Sequence, residues 1–332
     1  MKKLHLSFTS FLADEIKYFL KHKRSLGKKF NTEERALHLL DQYVMKKRII
    51  CIKKIDQNFL EEFLISRPRS RPRSYNHLVS VIHRFCDWLV REEKISVSPA
   101  SLIRSRRATS QRIPFIFNSS NFKTLLTLSE QLPNKPLTLH RSKIYSMIFI
   151  LLYGLGLRVS EVSRLCKKDV DTVKNVLMIR QTKFSKDRLI PFGPKIAIRL
   201  QEYIKIRKDY YGGFDLNDPL FPRTNNMPMS AVTISQTFHN LVPKLQLTIP
   251  NGVSEPCLHS LRHSFAVGTL LRWYKLKINP MQKLIHLSTF LGHVDPSSTA
   301  VYLTITEDLL KEANLRFEKF ATNTTITEVY ND

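Results

Sequence analysis

Three short stretches of this chain bring together residue types suited to phosphate chemistry. The first reads GLGLRVSEV, residues 154–162. Its glycine turn is expected to open a helix with Arg158 in the first turn and Glu161 one turn further on the same face. In the second, HSLRHSFA, His259 and Arg262 lie three apart and so share one face of a helix. The third, LGHVDPSSTAVY, reads as a helix ending at Gly292, then His293, then a short helix closed by Tyr302. Breaking a phosphodiester without a metal requires a nucleophile, cations around the phosphate and an acid for the leaving oxygen. Preorganised guanidinium and imidazole donors stabilise the charge that grows on the equatorial oxygens. Arginine grips two oxygens at once through its planar fork, which lysine cannot do.

Singly, each group has a plainer explanation. Arg158 beside Glu161 is ordinarily a surface ion pair, and His259 or His263 a hydrogen-bonded helix residue. Tyr302 is one of eleven tyrosines, most of which pack half-buried. Their ordered combination is what points to a phosphoryl-transfer site.

Composition agrees. Lysine and arginine number 53 against 28 aspartate and glutamate, a formal charge of +25, and a polyanionic partner is the usual reason for such an excess. Residues 1–114 hold 25 basic against 11 acidic side chains, which makes this third the more basic part per residue. The four cysteines (Cys51, Cys86, Cys166, Cys257) are widely spaced, as free thiols in a reducing cytoplasm are, and form no zinc or other metal pattern. The basic opening is interrupted by His5, Asp14 and Glu15, unlike a signal peptide. The longest apolar run, residues 144–152, is far short of the roughly 20 residues of a membrane span, so no membrane partner is expected.

The elements that must position these groups are mostly helices. Residues 8–98 carry apolar positions at helical spacing: Phe11, Ile16, Phe19 and Leu20; Leu37, Leu40, Tyr43 and Val44; Phe59, Phe63 and Leu64 after an Asp56 cap; then Leu78 to Leu89. Arg67, Arg69, Arg71 and Arg73 sit in a proline-broken turn before that last helix and are candidates to lie against DNA phosphates. Residues 98–114 read as a linker with no acid, in which Arg104, Arg106, Arg107 and Arg112 form a basic strap. Helices are expected at 119–131, 141–153, 196–210, 230–241, 258–273, 280–291 and from Thr306. A β-hairpin is expected from residues 176–181 and 188–192.

In its ordered motifs the chain resembles the tyrosine recombinase (phage integrase) family, Xer recombinases included. The resemblance covers about residues 115–320. It implies a mainly α fold with a small antiparallel sheet, arranged as a two-domain C-shaped DNA clamp. Residues 1–98 would be a helical core-binding (SAM-like) domain, 99–114 the linker, 115–320 the catalytic domain and 321–332 a flexible tail. It also implies that Arg158, His259, Arg262 and His293 surround the scissile phosphate, with Glu161 orienting Arg158. Tyr302 would attack to give a 3′-phosphotyrosine, and Lys183, or alternatively Lys186, would protonate the 5′ oxygen. His263 has no phosphate contact in this scheme and reads as structural.

No cofactor is implied. The partners are double-stranded DNA and further recombinase subunits, four in the synaptic complex. The stretch 271–287 is longer than in Xer-like members, which resembles mobile-element recombinases encoded in trios. Two other functions compete: a non-catalytic DNA-binding homologue, and a type IB topoisomerase.

Overall fold

The computed structural model describes residues 7–107, 113–180, 187–211, 214–293 and 295–304. The chain divides into two compact units, Met1–Gln111 and Arg112–Asp332.

The first unit is helical. Helix α1 spans Ala13–Ser25, α2 Asn31–Lys46, α3 Gln57–Ile65 and α4 Pro72–Arg91. The apolar stripe of each turns inward: Ile16, Phe19, Leu37, Leu60, Phe63, Ile82 and Phe85 are all buried. Asp56 caps α3 by accepting from the Phe59 N–H at 2.8 Å. Pro72 stands at the first turn of α4, where its missing N–H costs nothing, so the helix begins earlier than the proline-broken reading implies. Asp41, fully buried on α2, accepts from the backbone N–H groups of Thr9 and Ser10 and from the Ser10 hydroxyl, tying down the segment that leads into α1.

The early part of the basic strap is folded onto this unit. Ala100 and Ile103 join its core. Asn76 grips Arg106 at both ends of its peptide, accepting from its N–H at 2.7 Å and donating to its carbonyl at 2.8 Å. The Arg106 guanidinium lies 4.0 Å from the Tyr75 ring centre.

The second unit joins helices to a three-stranded antiparallel sheet. Its elements are α5 (Ser119–Glu130), α6 (Arg141–Gly154), α7 (Val159–Val162), β1 (Val170–Asp171), β2 (Val176–Ile179), β3 (Arg188–Pro191) and α8 (Pro194–Tyr211). There follow α9 (Ala231–Leu241), α10 (Leu258–Lys275), α11 (Pro280–Leu291) and α12 (Ser297–Ala300). The expected hairpin pairs Leu177 with Ile190 and Ile179 with Arg188, and β1 adds a two-residue edge. Helix α6 is buried on nearly every side, as its run of apolar residues around Ser146 requires. A smaller cluster, built on Ala266, Val267 and Leu270 of α10 and Leu284, Leu287 and Leu291 of α11, holds the ring of Tyr302. The lengthened stretch is the end of α10, a left-handed Lys277 and the start of α11. Tyr302 lies not in a continuing α-helix but in the 3-10 turn Val301–Thr304. The helix expected from Thr306 lies outside the described residues.

Gly156 leaves no room for a side chain. Its φ is +60°, and a Cβ there would come within 2.5 Å of the Phe265 ring and 2.9 Å of Leu291. Gly156→Ala therefore adds overpacking of about 1–3 kcal/mol to a left-handed backbone cost of about 1–2 kcal/mol. Chemical denaturation should show a loss of roughly 2–5 kcal/mol from these two sources together.

Candidate active site

Arg158 is the N-cap of α7 rather than a residue of its first turn. Glu161, at the third helical position, reaches back to accept from the Arg158 N–H at 2.9 Å, the carboxylate half of a capping box. The same carboxylate accepts from the Arg158 guanidinium at 2.9 Å and from both terminal nitrogens of Arg188 at 3.0 and 2.9 Å. Sequence reasoning gave Arg188 no role, yet it forms the bidentate pair here. The carboxylate is almost fully buried. Burial alone would raise its pKa, but the hydrogen bonds and charges of Arg188 and Arg158 outweigh that and bring it down to about 2.

The second anchor is the C-terminus of α11. Gly292 adopts a left-handed conformation at φ +68°. The Gly292 N–H donates to the Thr289 carbonyl and the His293 N–H to the Ser288 carbonyl, both at 3.0 Å, which together form a Schellman motif. The carbonyls left over at this helix end meet three guanidiniums. Arg188 Nε donates to Phe290 at 2.9 Å, Arg262 to Leu291 at 2.7 Å, and Arg158 to Leu291 at 3.3 Å and Gly292 at 3.0 Å. The negative end of the helix dipole favours cations here. Arg262 is completely buried, and its other terminal nitrogen donates to the Gly156 carbonyl at 2.6 Å. Burial and neighbouring Arg158 depress its pKa to about 9.

His259, Arg262 and His263 occupy one face of α10, three and four residues apart. The His259 and His263 rings meet edge to face with centroids 4.5 Å apart. His263 Nδ1 and the Tyr302 hydroxyl share a 2.8 Å hydrogen bond, a contact that sequence reasoning missed. His293, set by the Schellman motif, shares a 2.7 Å hydrogen bond with the fully buried Thr299, and its ring lies near-parallel to that of Tyr302 at 6.5 Å.

Desolvation, then the positive neighbours, lowers the pKa of His293 to about 4 and of His263 to about 3. His259 is also lowered to about 4, first by desolvation and then by the Arg262 and Arg158 charges. His259 is nonetheless an exposed residue, whereas His263 is half-buried. Burial raises the Tyr302 phenol, with Arg262 and Arg158 opposing.

The structure thus brings Arg158, Glu161, His259, Arg262, His293 and Tyr302 into one network, together with Arg188 and His263. Lys183 and Lys186 lie outside the described residues, as does Arg112. Arg71, Arg73, Arg104 and Arg107 are exposed, and Arg67 is half-exposed. Arg69 is drawn inward, donating to the Ser74 hydroxyl at 2.7 Å and accepting on its carbonyl from Arg106. Among the described residues no group of histidine, cysteine, aspartate or glutamate could hold a metal ion. None of the described helices is long and apolar enough to cross a membrane.

The ionisation pattern has a definite sign. Glu161 is held charged, so its contribution is complete above its ordinary value of 4.5 and is lost as pH falls towards about 2. His263 and His293 are held neutral, so stability falls as pH drops below 6.5 towards about 3 to 4. Thermal melts should show a midpoint declining progressively below pH 6.5. Glu161→Gln should cost roughly 3–5 kcal/mol near pH 7, because two arginines lose a buried partner. That deficit should narrow below pH 4.5.

Residues 118–308 match the phage integrase family. A Sinorhizobium fredii protein named as an integrase/recombinase is 32% identical over 232 residues, 69% of this chain and 72% of that one. Tyrosine recombinase XerC of Listeria welshimeri is 28% identical over 239 residues, 72% of this chain and 73% of its own. Among solved structures, a lambda integrase dimer bound to a COC' core site shares the fold at a TM-score of 0.63 and 17% identity, covering 88% of this chain and 76% of that one. On the span of the family match and the Sinorhizobium similarity, this chain belongs to the phage integrase family of tyrosine site-specific recombinases.

Proposed function

We propose that this recombinase cuts and rejoins double-stranded DNA through a covalent bond between Tyr302 and a 3′ phosphate. The observation that carries the reading is the network itself: the Tyr302 hydroxyl reaches His263, and α10 carries His263, His259 and Arg262 on one face. Arg262 in turn shares the Leu291 carbonyl with Arg158.

In this scheme Arg158 and Arg262 grip the non-bridging oxygens of the scissile phosphate, giving up carbonyl contacts for stronger charge-assisted ones. His259 and His293 donate to the same phosphate. Glu161 and Arg188 position Arg158. An ordinary tyrosine has a pKa near 10, so attack at neutral pH depends on these cations favouring the phenolate. Lys183, or Lys186 beside it, supplies the proton for the 5′ oxygen. The phosphotyrosine keeps the energy of the broken bond, so a second DNA hydroxyl can reverse the attack without ATP. Arg67, Arg71, Arg73, Arg104 and Arg107 contribute phosphate contacts from the first unit, with Arg112 continuing the strap. Similarity to a tyrosine recombinase and to integrases supports a role in DNA recombination; in this scheme the reaction serves integration, transposition or replicon resolution, with four subunits on two duplexes. The four free cysteines fit work in the cytoplasm.

The test is covalent trapping on nicked duplexes drawn from a randomised pool, from which the wild-type protein selects its own site. A protein–DNA band that survives denaturation is expected for wild type and absent for Tyr302→Phe, which should still bind. Binding without a band from either protein would favour a DNA-organising role. Relaxation of supercoils at no defined site would favour a topoisomerase.

A further inference from the structure

The Tyr302 hydroxyl has one imidazole nitrogen in hydrogen-bond contact, and it belongs to His263. His259 lies a turn earlier on α10, stacked edge-on against the His263 ring. His293 is engaged through Nδ1 with Thr299, and its ring faces Tyr302 at 6.5 Å. Sequence reasoning took His263 for a structural histidine. It is aimed at the oxygen that must lose a proton to attack phosphorus.

We infer that His263 is a catalytic residue of this site, whose Nδ1 accepts the proton of the Tyr302 hydroxyl during attack. The inference rests on Tyr302 being the nucleophile. As the Tyr302 O–H bond breaks, its electron pair forms the bond to phosphorus and the proton passes to Nδ1. The bond from phosphorus to the 5′ oxygen breaks, and that oxygen takes a proton from the lysine acid. Rejoining returns both protons, so the cycle closes with no co-reactant.

Accepting at Nδ1 requires a neutral ring with its hydrogen on Nε2. The groups facing the ring favour that state. His259 and Arg262 lie on its own helix, His293 lies beyond α11, and all three oppose a positive charge on it. Glu161, the nearby carboxylate, is committed to Arg158 and Arg188. Without DNA the ring therefore stays neutral and the phenol keeps its proton. A phosphate bound between Arg158 and Arg262 adds negative charge beside them and raises the affinity of His263 for a proton. Proton transfer is then linked to occupancy of the site, and the nucleophile stays inert until DNA arrives.

His263→Asn and His263→Gln each offer a hydrogen-bond acceptor that cannot carry the proton. Two reactions separate the roles. One is cleavage of the selected nicked duplex. The other is resealing of a duplex whose 3′ end carries p-nitrophenyl phosphate, a leaving group that departs without an acid and replaces the tyrosine. Cleavage by both variants should fall by about 10²–10⁴-fold, the usual range for a lost general base. Resealing should fall no further than it does for Tyr302→Phe. Cleavage within about threefold of wild type would overturn the inference, as would resealing that falls in step with cleavage in both variants, since the histidine would then be holding structure. A covalent adduct persisting in Tyr302→Phe would instead overturn the tyrosine assignment itself.

Discussion

Three guanidiniums crowded around one small volume repel one another, and the second unit is organised around keeping them there. Two unit charges about 4 Å apart interact by about 4 kcal/mol at the effective dielectric of a protein surface. The compensation comes from two sources. Glu161 uses both its oxygens on Arg158 and Arg188, and main-chain carbonyls, chiefly those at the end of α11 with that of Gly156, accept from all three arginines. The rest of the local architecture serves these contacts. The capping box fixes Glu161 relative to Arg158, the turn at Gly156 presents a carbonyl to Arg262, and the Schellman motif squares off the helix end. A side chain at Gly292 would press within 2.9 Å of the Arg188 guanidinium, which explains the glycine at that turn on steric as well as conformational grounds.

The compensation is deliberately incomplete. One carboxylate faces three arginines, and the histidines beside them are driven neutral. Under the proposed chemistry that positive excess would answer the charge that develops on a phosphate, once Arg158 and Arg262 exchange carbonyl contacts for it. The positive excess makes the unit sensitive to acid, since each proton added there joins a like charge. If these residues bind phosphate as proposed, stability and that binding make opposing demands on them.

Much of this was legible in the sequence, and what was not has a common physical cause. Local signals read well: Asp56 as a cap, the apolar stripes of the first four helices, the hairpin of β2 and β3, and the spacing of His259 and Arg262 on one helical face. The ordered motifs also assembled the site by resemblance. The misses are side chains whose partners lie far along the chain. Arg188 meets Glu161 across 27 residues and His263 meets Tyr302 across 39, and no periodicity reports such pairings. The packing of Ala100 and Ile103 into the first core was hidden by the basic, proline-flanked character of the segment around them. Tyr302 was placed at a helix end, and the tight 3-10 turn that seats it had no sequence mark of its own.

Most of the arginine contacts end on main-chain oxygens. Gly156, Phe290, Leu291 and Gly292 serve through their carbonyls, which every amino acid possesses. Glu161 is the one side chain that all of this geometry requires as an acceptor. At these four positions the arginines ask only for a main-chain oxygen in the right place, so their geometry depends on the path of the backbone, including the turns at Gly156 and Gly292. A charge arrangement written in backbone can be inherited by chains that have diverged almost everywhere else.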